Sequence, residues 1–97
     1  MMILSNTPKL DLHGFDRDYA KMLIEEFISD NYKMKNYQVL IVHGNGTGTL
    51  RKTTQETLRQ NKYVEEYKID NFNSGCTIVK IKILDKAQIE KEKMNLF

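Results

Sequence analysis

Apolar positions along the chain follow two different periods. Lys9, Leu10, Asp11, Leu12 and His13 alternate every second residue, which predicts a short strand ending at Gly14. In such a strand Leu10 and Leu12 share one side, and Asp11 and His13 share the other. Asp16 then stands where a helix cap belongs, with Asp18 favourable in the first turn. Ala20, Leu23, Ile24, Phe27 and Ile28 recur at helical spacing and predict an amphipathic helix with Glu25, Glu26 and Ser29 on its outer side. Residues 37–42 form an apolar run of strand length, broken only by Gln38, which suits a buried central strand. Residues 50–60 read as a second helix with a mixed face of Leu50, Thr54, Thr57 and Leu58. A strand is predicted within residues 63–72, followed by the turn-rich Asn71, Phe72, Asn73, Ser74 and Gly75. Thr77, Val79, Ile81 and Ile83 then alternate with Ile78, Lys80, Lys82 and Leu84, which predicts a last strand.

The order β-α-β-α-β-β predicts an α/β, two-layer domain with a mixed four-stranded sheet and helices packed on it. The helix between the first two strands makes them parallel through a right-handed crossover. The short turn before the last strand makes a hairpin, so that strand runs antiparallel. Residues 1–8 read as an N-terminal extension, 9–84 as the domain, and 85–97 as a charged C-terminal tail with a weakly amphipathic helical pattern.

Composition narrows the class. A chain of 97 residues supports one hydrophobic core. A hydrophobic fraction of 40% argues against a disordered chain. No apolar run approaches the roughly 20 residues that span a bilayer, and the opening residues lack the basic segment of a signal peptide. The single cysteine, Cys76, excludes an internal disulfide and multi-cysteine zinc sites. The expectation is a cytoplasmic monomer. Its net charge of +2 is unevenly spread: residues 1–30 carry a net −3 and residues 31–64 a net +5, with six bases against Glu56 alone. A basic middle segment suits an anionic partner.

Two features meet at the carboxyl ends of the first two strands, the edge where open α/β sheets bind ligands. Each strand runs into His-Gly: His13-Gly14 and His43-Gly44. Imidazoles titrate near neutral pH and can serve as acid and base. The second feature is the turn of Gly44, Asn45, Gly46, Thr47 and Gly48, which leads into a helix. Its glycines let backbone N–H groups approach a ligand, and the helix start adds free donors and a positive dipole end. That combination suits a phosphate. Arg51 and Lys52 oppose the dipole in the first helical turn, a placement that makes sense beside a bound phosphate backbone. Nucleotide-cofactor motifs fail: Arg51, not glycine, precedes Lys52-Thr53, and the glycines are spaced G-x-G-x-G rather than G-x-G-x-x-G.

Leu10-Asp11-Leu12-His13-Gly14, His43-Gly44-Asn45-Gly46-Thr47-Gly48 with Leu50-Arg51, and Gly75-Cys76-Thr77-Ile78-Val79 together resemble the three signatures of the small MutS-related (Smr) domain. The resemblance runs from about Lys9 to Leu84. It implies the sheet read above, a topology similar to the C-terminal domain of translation initiation factor three, and nucleic-acid binding, often with endonuclease or nicking activity. Asp11 and His13 match the acid and histidine of the first motif. His43, Gly44, Gly46 and Gly48 match the second, and Arg51 its following arginine. Before the last strand this chain has Asn73-Ser74-Gly75 where the family often has a fuller glycine cluster. No MutS-like ATPase segment is present in the sequence, so a stand-alone domain is expected.

The resulting expectation is a domain that binds structured RNA or DNA and cleaves phosphodiesters. Gly44, Asn45, Gly46, Thr47, Gly48, Arg51 and Lys52 would hold phosphate. Asp11, His13 and His43 would be catalytic, the histidines sharing acid and base duties. On RNA the 2′-OH is an internal nucleophile. On DNA water must attack, which favours a divalent metal such as Mg or Mn. The alternatives are a non-catalytic nucleic-acid- or ribosome-binding module using the same cleft, and a small-molecule phosphate binder. Lys80 and Lys82 could extend a phosphate track, although an exposed sheet face needs polar residues anyway.

Overall fold

A computed structural model describes residues 6–83; the tail reading of 85–97, residue 84 and most of the N-terminal extension lie outside them. Six elements follow the expected order: β1 (Lys9–Asp11), α1 (Arg17–Lys33), β2 (Gln38–Val42), α2 (Thr49–Arg59), β3 (Val64–Ile69) and β4 (Cys76–Ile81). They form one four-stranded sheet in the order β1-β2-β4-β3. β1 runs parallel to β2, and β4 runs antiparallel to both of its neighbours, β2 and β3.

Helix α1 begins where Asp16 caps it, its carboxylate accepting the Tyr19 N–H at 2.9 Å. The predicted stripe faces the sheet: Ala20, Ile24 and Ile28 are fully buried, and Leu23 and Phe27 pack at its border. Burying each isoleucine contributes about 1.5–3 kcal/mol. The helix stops where Lys35 turns left-handed, with φ 62°. The buried Asn31 holds that end together, donating to the Phe27 carbonyl at 2.8 Å and accepting from the Asn36 amide at 2.9 Å. Tyr32 stacks on Tyr63 with ring centroids 4.2 Å apart, tying the end of α1 to the start of β3.

Helix α2 buries Thr54, Thr57 and Leu58, the mixed face that its sequence predicts. The Thr54 hydroxyl donates to the Leu50 carbonyl at 2.7 Å, so its burial leaves no orphaned polar group. α1 and α2 lie side by side. The main core joins them to Leu12, Val39, Ile41, Val79 and Ile81 of the sheet side.

The hairpin partner of β3 inserts between β2 and β3, which the sequence pattern alone does not reveal. β4 is therefore an inner strand. Ile78 and Cys76 are buried on the sheet side away from the main core, grouped with Leu40 and bordered by Val42. Among the described residues no element covers that side, and Lys80 stands on it in an exposed pair with Glu65 (3.8 Å). Such a pair contributes little to stability. Lys82 lies one residue beyond the end of β4, where its N–H bonds the Tyr63 carbonyl at 2.8 Å.

Candidate nucleic-acid interface

The parallel pairing of β1 with β2 brings their carboxyl ends level, Asp11 opposite Val42, and the Leu12 N–H extends the ladder to the Val42 carbonyl at 2.8 Å. The starts of α1 and α2 lie at the same edge, because each follows directly on a strand that ends there. Strand parity then separates the two histidines. Leu12 and His43 continue the rows of Leu10 and Ile41, which face the helices, and both are buried. Asp11 and His13 continue the other row and are exposed. The Asp11 carboxylate accepts the backbone N–H of His13 at 2.9 Å, which fixes the turn that carries the His13 ring. That ring has no hydrogen-bond partner among the described residues.

His43 is 5% exposed, and both of its ring nitrogens are engaged. Nδ1 lies 3.0 Å from the Gly44 carbonyl and Nε2 lies 2.8 Å from the Thr77 hydroxyl. A carbonyl only accepts, so Nδ1 carries the proton, and in the neutral ring Nε2 accepts from Thr77. The imidazole's pKa is held below its ordinary value. Burial is the main cause; the Gly44 carbonyl works against it, and the nearby Arg51 guanidinium adds to the lowering. His43 is thus a neutral strut between the glycine turn and β4. Nothing in the motif spacing singles out Thr77. Its signal is its place in the row of Val79 and Ile81, where a hydroxyl at a fully buried position needs a partner.

The turn itself is braced from below by the β3–β4 hairpin. The Gly75 carbonyl accepts both the His43 and the Gly44 N–H at 2.9 Å. Ser74 donates its hydroxyl to the Asn45 side-chain carbonyl at 2.9 Å. Gly75 allows this approach: a Cβ there would lie 3.2 Å from the Gly44 Cα. Gly44 and Gly48 both have positive φ, 79° and 87°, so the turn uses the left-handed region that glycine alone adopts without cost. Gly46 does not.

Helix α2 starts without a side-chain cap from Gly48, and its first turn contains no acidic residue. The Lys52 N–H is the first to reach back to the start of the helix, bonding the Gly48 carbonyl at 2.9 Å. The N–H groups before it have no intrahelical acceptor; that of Thr49 makes a long contact of 3.4 Å with the Thr47 hydroxyl. The start of α2 is thus a cluster of outward N–H donors beside Arg51 and Lys52, an arrangement suited to an anion.

Among the described residues no group of three or more His, Cys, Asp or Glu side chains could hold a metal ion. The Asp11 carboxylate already accepts a backbone N–H. Cys76 does not enlarge the donor set, since burial, with Asp70 next, raises its thiol pKa and keeps it protonated.

The Smr domain model matches residues 10–82. The chain belongs to the Smr domain family. It is 38% identical over 80 residues to Endonuclease MutS2 of Caldanaerobacter subterraneus subsp. tengcongensis, covering 79% of this chain and 10% of that protein. Against Endonuclease MutS2 of Clostridium perfringens the identity is 32% over 77 residues, again with 79% and 10% covered. The chain therefore spans about a tenth of the length of these curated relatives. The crystal structure of the Smr domain of Thermus thermophilus MutS2 superposes with a TM-score of 0.76 at 25% identity, covering 78% of this chain and 99% of that one. The stand-alone small MutS-related protein YdaL of Escherichia coli shares the fold, with a TM-score of 0.74 at 20% identity over 79% of this chain and 66% of that one. This Smr chain is homologous to the Smr domain of the MutS2 endonucleases, and no helix among its described residues is long and apolar enough to cross a membrane.

Proposed function

We propose that this Smr domain binds nucleic acid and cleaves its phosphodiester backbone. One observation carries the reading: the exposed Asp11–His13 turn and the uncapped, cation-flanked start of α2 lie at the same edge of the sheet. With the Gly44 N–H committed to the Gly75 carbonyl, the backbone N–H groups of residues 45–48 and the first turn of α2 hold a phosphate, and Arg51 and Lys52 supply charge. His13 transfers the proton, because it is the exposed imidazole, and Asp11 fixes the turn that presents it. His43 keeps the phosphate-binding turn in shape from beneath, acting through Gly44 and Thr77. This divides the acid and base roles differently from a facing histidine pair. RNA suits the site best: its 2′-oxygen bonds the phosphorus as His13 accepts the 2′-OH proton, the P–O bond to the 5′-oxygen breaks to leave a 2′,3′-cyclic phosphate, and the 5′-oxygen takes a proton from water.

A second reading, a non-catalytic binding module, draws on the same geometry. With His43 committed internally, His13 is the single exposed imidazole at the site. A cleavage screen with structured RNA and DNA, with and without divalent metal, separates the two. His13→Ala should bind RNA like the wild type and lose cleavage. Undiminished cleavage by His13→Ala refutes the assigned chemistry. A wild-type chain that binds but cleaves nothing establishes the binding module.

A further inference from the structure

Phe15, Tyr19 and Met22 are 42%, 44% and 50% exposed. Tyr19 and Met22, three residues apart, lie on the outer side of α1, away from the buried Ala20, Ile24 and Ile28, and Phe15 joins them from just before the helix through its contact with Tyr19. Single exposed apolar side chains are ordinary, but a contiguous row marks a contact surface. Its first member lies in the turn between β1 and α1, where the Phe15 N–H bonds the Leu12 carbonyl at 3.1 Å. The Phe15 and Tyr19 rings meet edge to face, with centroids 5.0 Å apart and planes at 68°. That contact restrains the Phe15 ring, so less freedom is lost when something stacks on it.

Its place beside the site says what that something is. Phe15 follows His13 by two residues, so their Cα atoms are at most about 7.6 Å apart. A nucleotide handled by His13 has its base within reach of this ring. Arg17 and Lys21 line the groove towards α2 together with Asp18 and Glu56, on the other flank of α1 from Tyr19. Glu25 and Glu26 lie exposed beyond the row's far end and repel a strand running further. The apolar surface is therefore short and aromatic at the end nearest the site.

We infer that Phe15, braced by Tyr19, is a stacking platform for one unpaired nucleobase next to the phosphate-binding turn. The inference rests on the nucleic-acid reading above and narrows its substrate class to strands with an unstacked base, as in single strands, loops or bulges. Inside a continuous duplex both faces of a base are occupied, so a duplex cannot use the platform.

The test measures fluorescence anisotropy with a short labelled single-stranded RNA, and with the same strand annealed to its complement. Phe15→Leu keeps apolar bulk and removes the π face; Phe15→Trp keeps a π face. Phe15→Leu should weaken single-strand binding about tenfold or more, leave duplex binding and thermal melting unchanged, and be rescued by Phe15→Trp. Equal losses on single strand and duplex, or no loss on the single strand, overturn the platform while leaving nucleic-acid binding intact. A Phe15→Leu variant that changes the sedimentation coefficient but not RNA affinity assigns the row to self-association and also overturns it. A wild-type chain that binds neither RNA overturns both readings.

Discussion

Thr77→Val tests the strut beneath the glycine turn. The substitution is nearly isosteric, so it leaves no cavity, but it removes the hydroxyl that donates to His43 Nε2 at 2.8 Å. His43 is 5% exposed, and water does not readily replace the lost donor. A buried acceptor left unsatisfied costs about 1–3 kcal/mol. Total stability for a chain of this size is about 5–15 kcal/mol, so the loss is a sizeable share of it. For a domain of this length each kcal/mol moves Tm by about 4–8 °C, so a central cost of about 2 kcal/mol lowers it by about 8–16 °C. Circular-dichroism melting reads the shift. Thr77→Ser keeps the hydroxyl and sheds one methyl group, at about 1 kcal/mol, and should be the milder of the two. Nitrogen-15 NMR of the imidazole provides a second check, with the proton on Nδ1 in the wild type. Valine as stable as threonine, or a wild-type ring protonated at Nε2 alone, would refute the strut.

Other perturbations read neighbouring parts of the site. Gly75→Ala places a Cβ 3.2 Å from the Gly44 Cα and 3.3 Å from Asn45 Nδ2; chemical denaturation should show a loss of about 1–3 kcal/mol from overpacking, and RNA affinity should fall with it because the turn is displaced. The pKa of His43 is lowered in the folded chain, so as pH falls the unfolded chain takes up the proton first. The stability contribution is therefore full above the ordinary value of about 6.5 and is lost as pH falls through the folded value. Urea titrations at about pH 7.5 and about pH 5.5 should show a smaller drop in His43→Gln than in the wild type; an identical drop excludes His43 as its source. Replacing Arg51 and Lys52 together by alanine should reduce the slope of log affinity against log salt by up to about 1.4–1.8, and an unchanged slope removes both from the phosphate contacts.

The sequence by itself determined the order of elements and the edge of the sheet at which chemistry gathers. Those features rest on local periodicity: the stripe from Ala20 to Ile28 fits one helix face, and the alternation of Leu10, Asp11 and Leu12 fits a strand. The Asp16 cap was legible for the same reason, since its hydrogen bond closes within three residues. Tertiary structure alone decided the place of β4 between β2 and β3, because pairing between distant strands leaves no periodic trace in either one. It also decided the difference between the two histidines. Both precede glycine at a strand end, so local spacing treats them alike. Register puts His43 in the row of Val39 and Ile41, where burial and the Thr77 hydroxyl commit both nitrogens, and leaves His13 at the surface with Asp11. Local sequence specifies which groups can reach the edge; only packing across 34 residues of separation specifies which of them faces solvent.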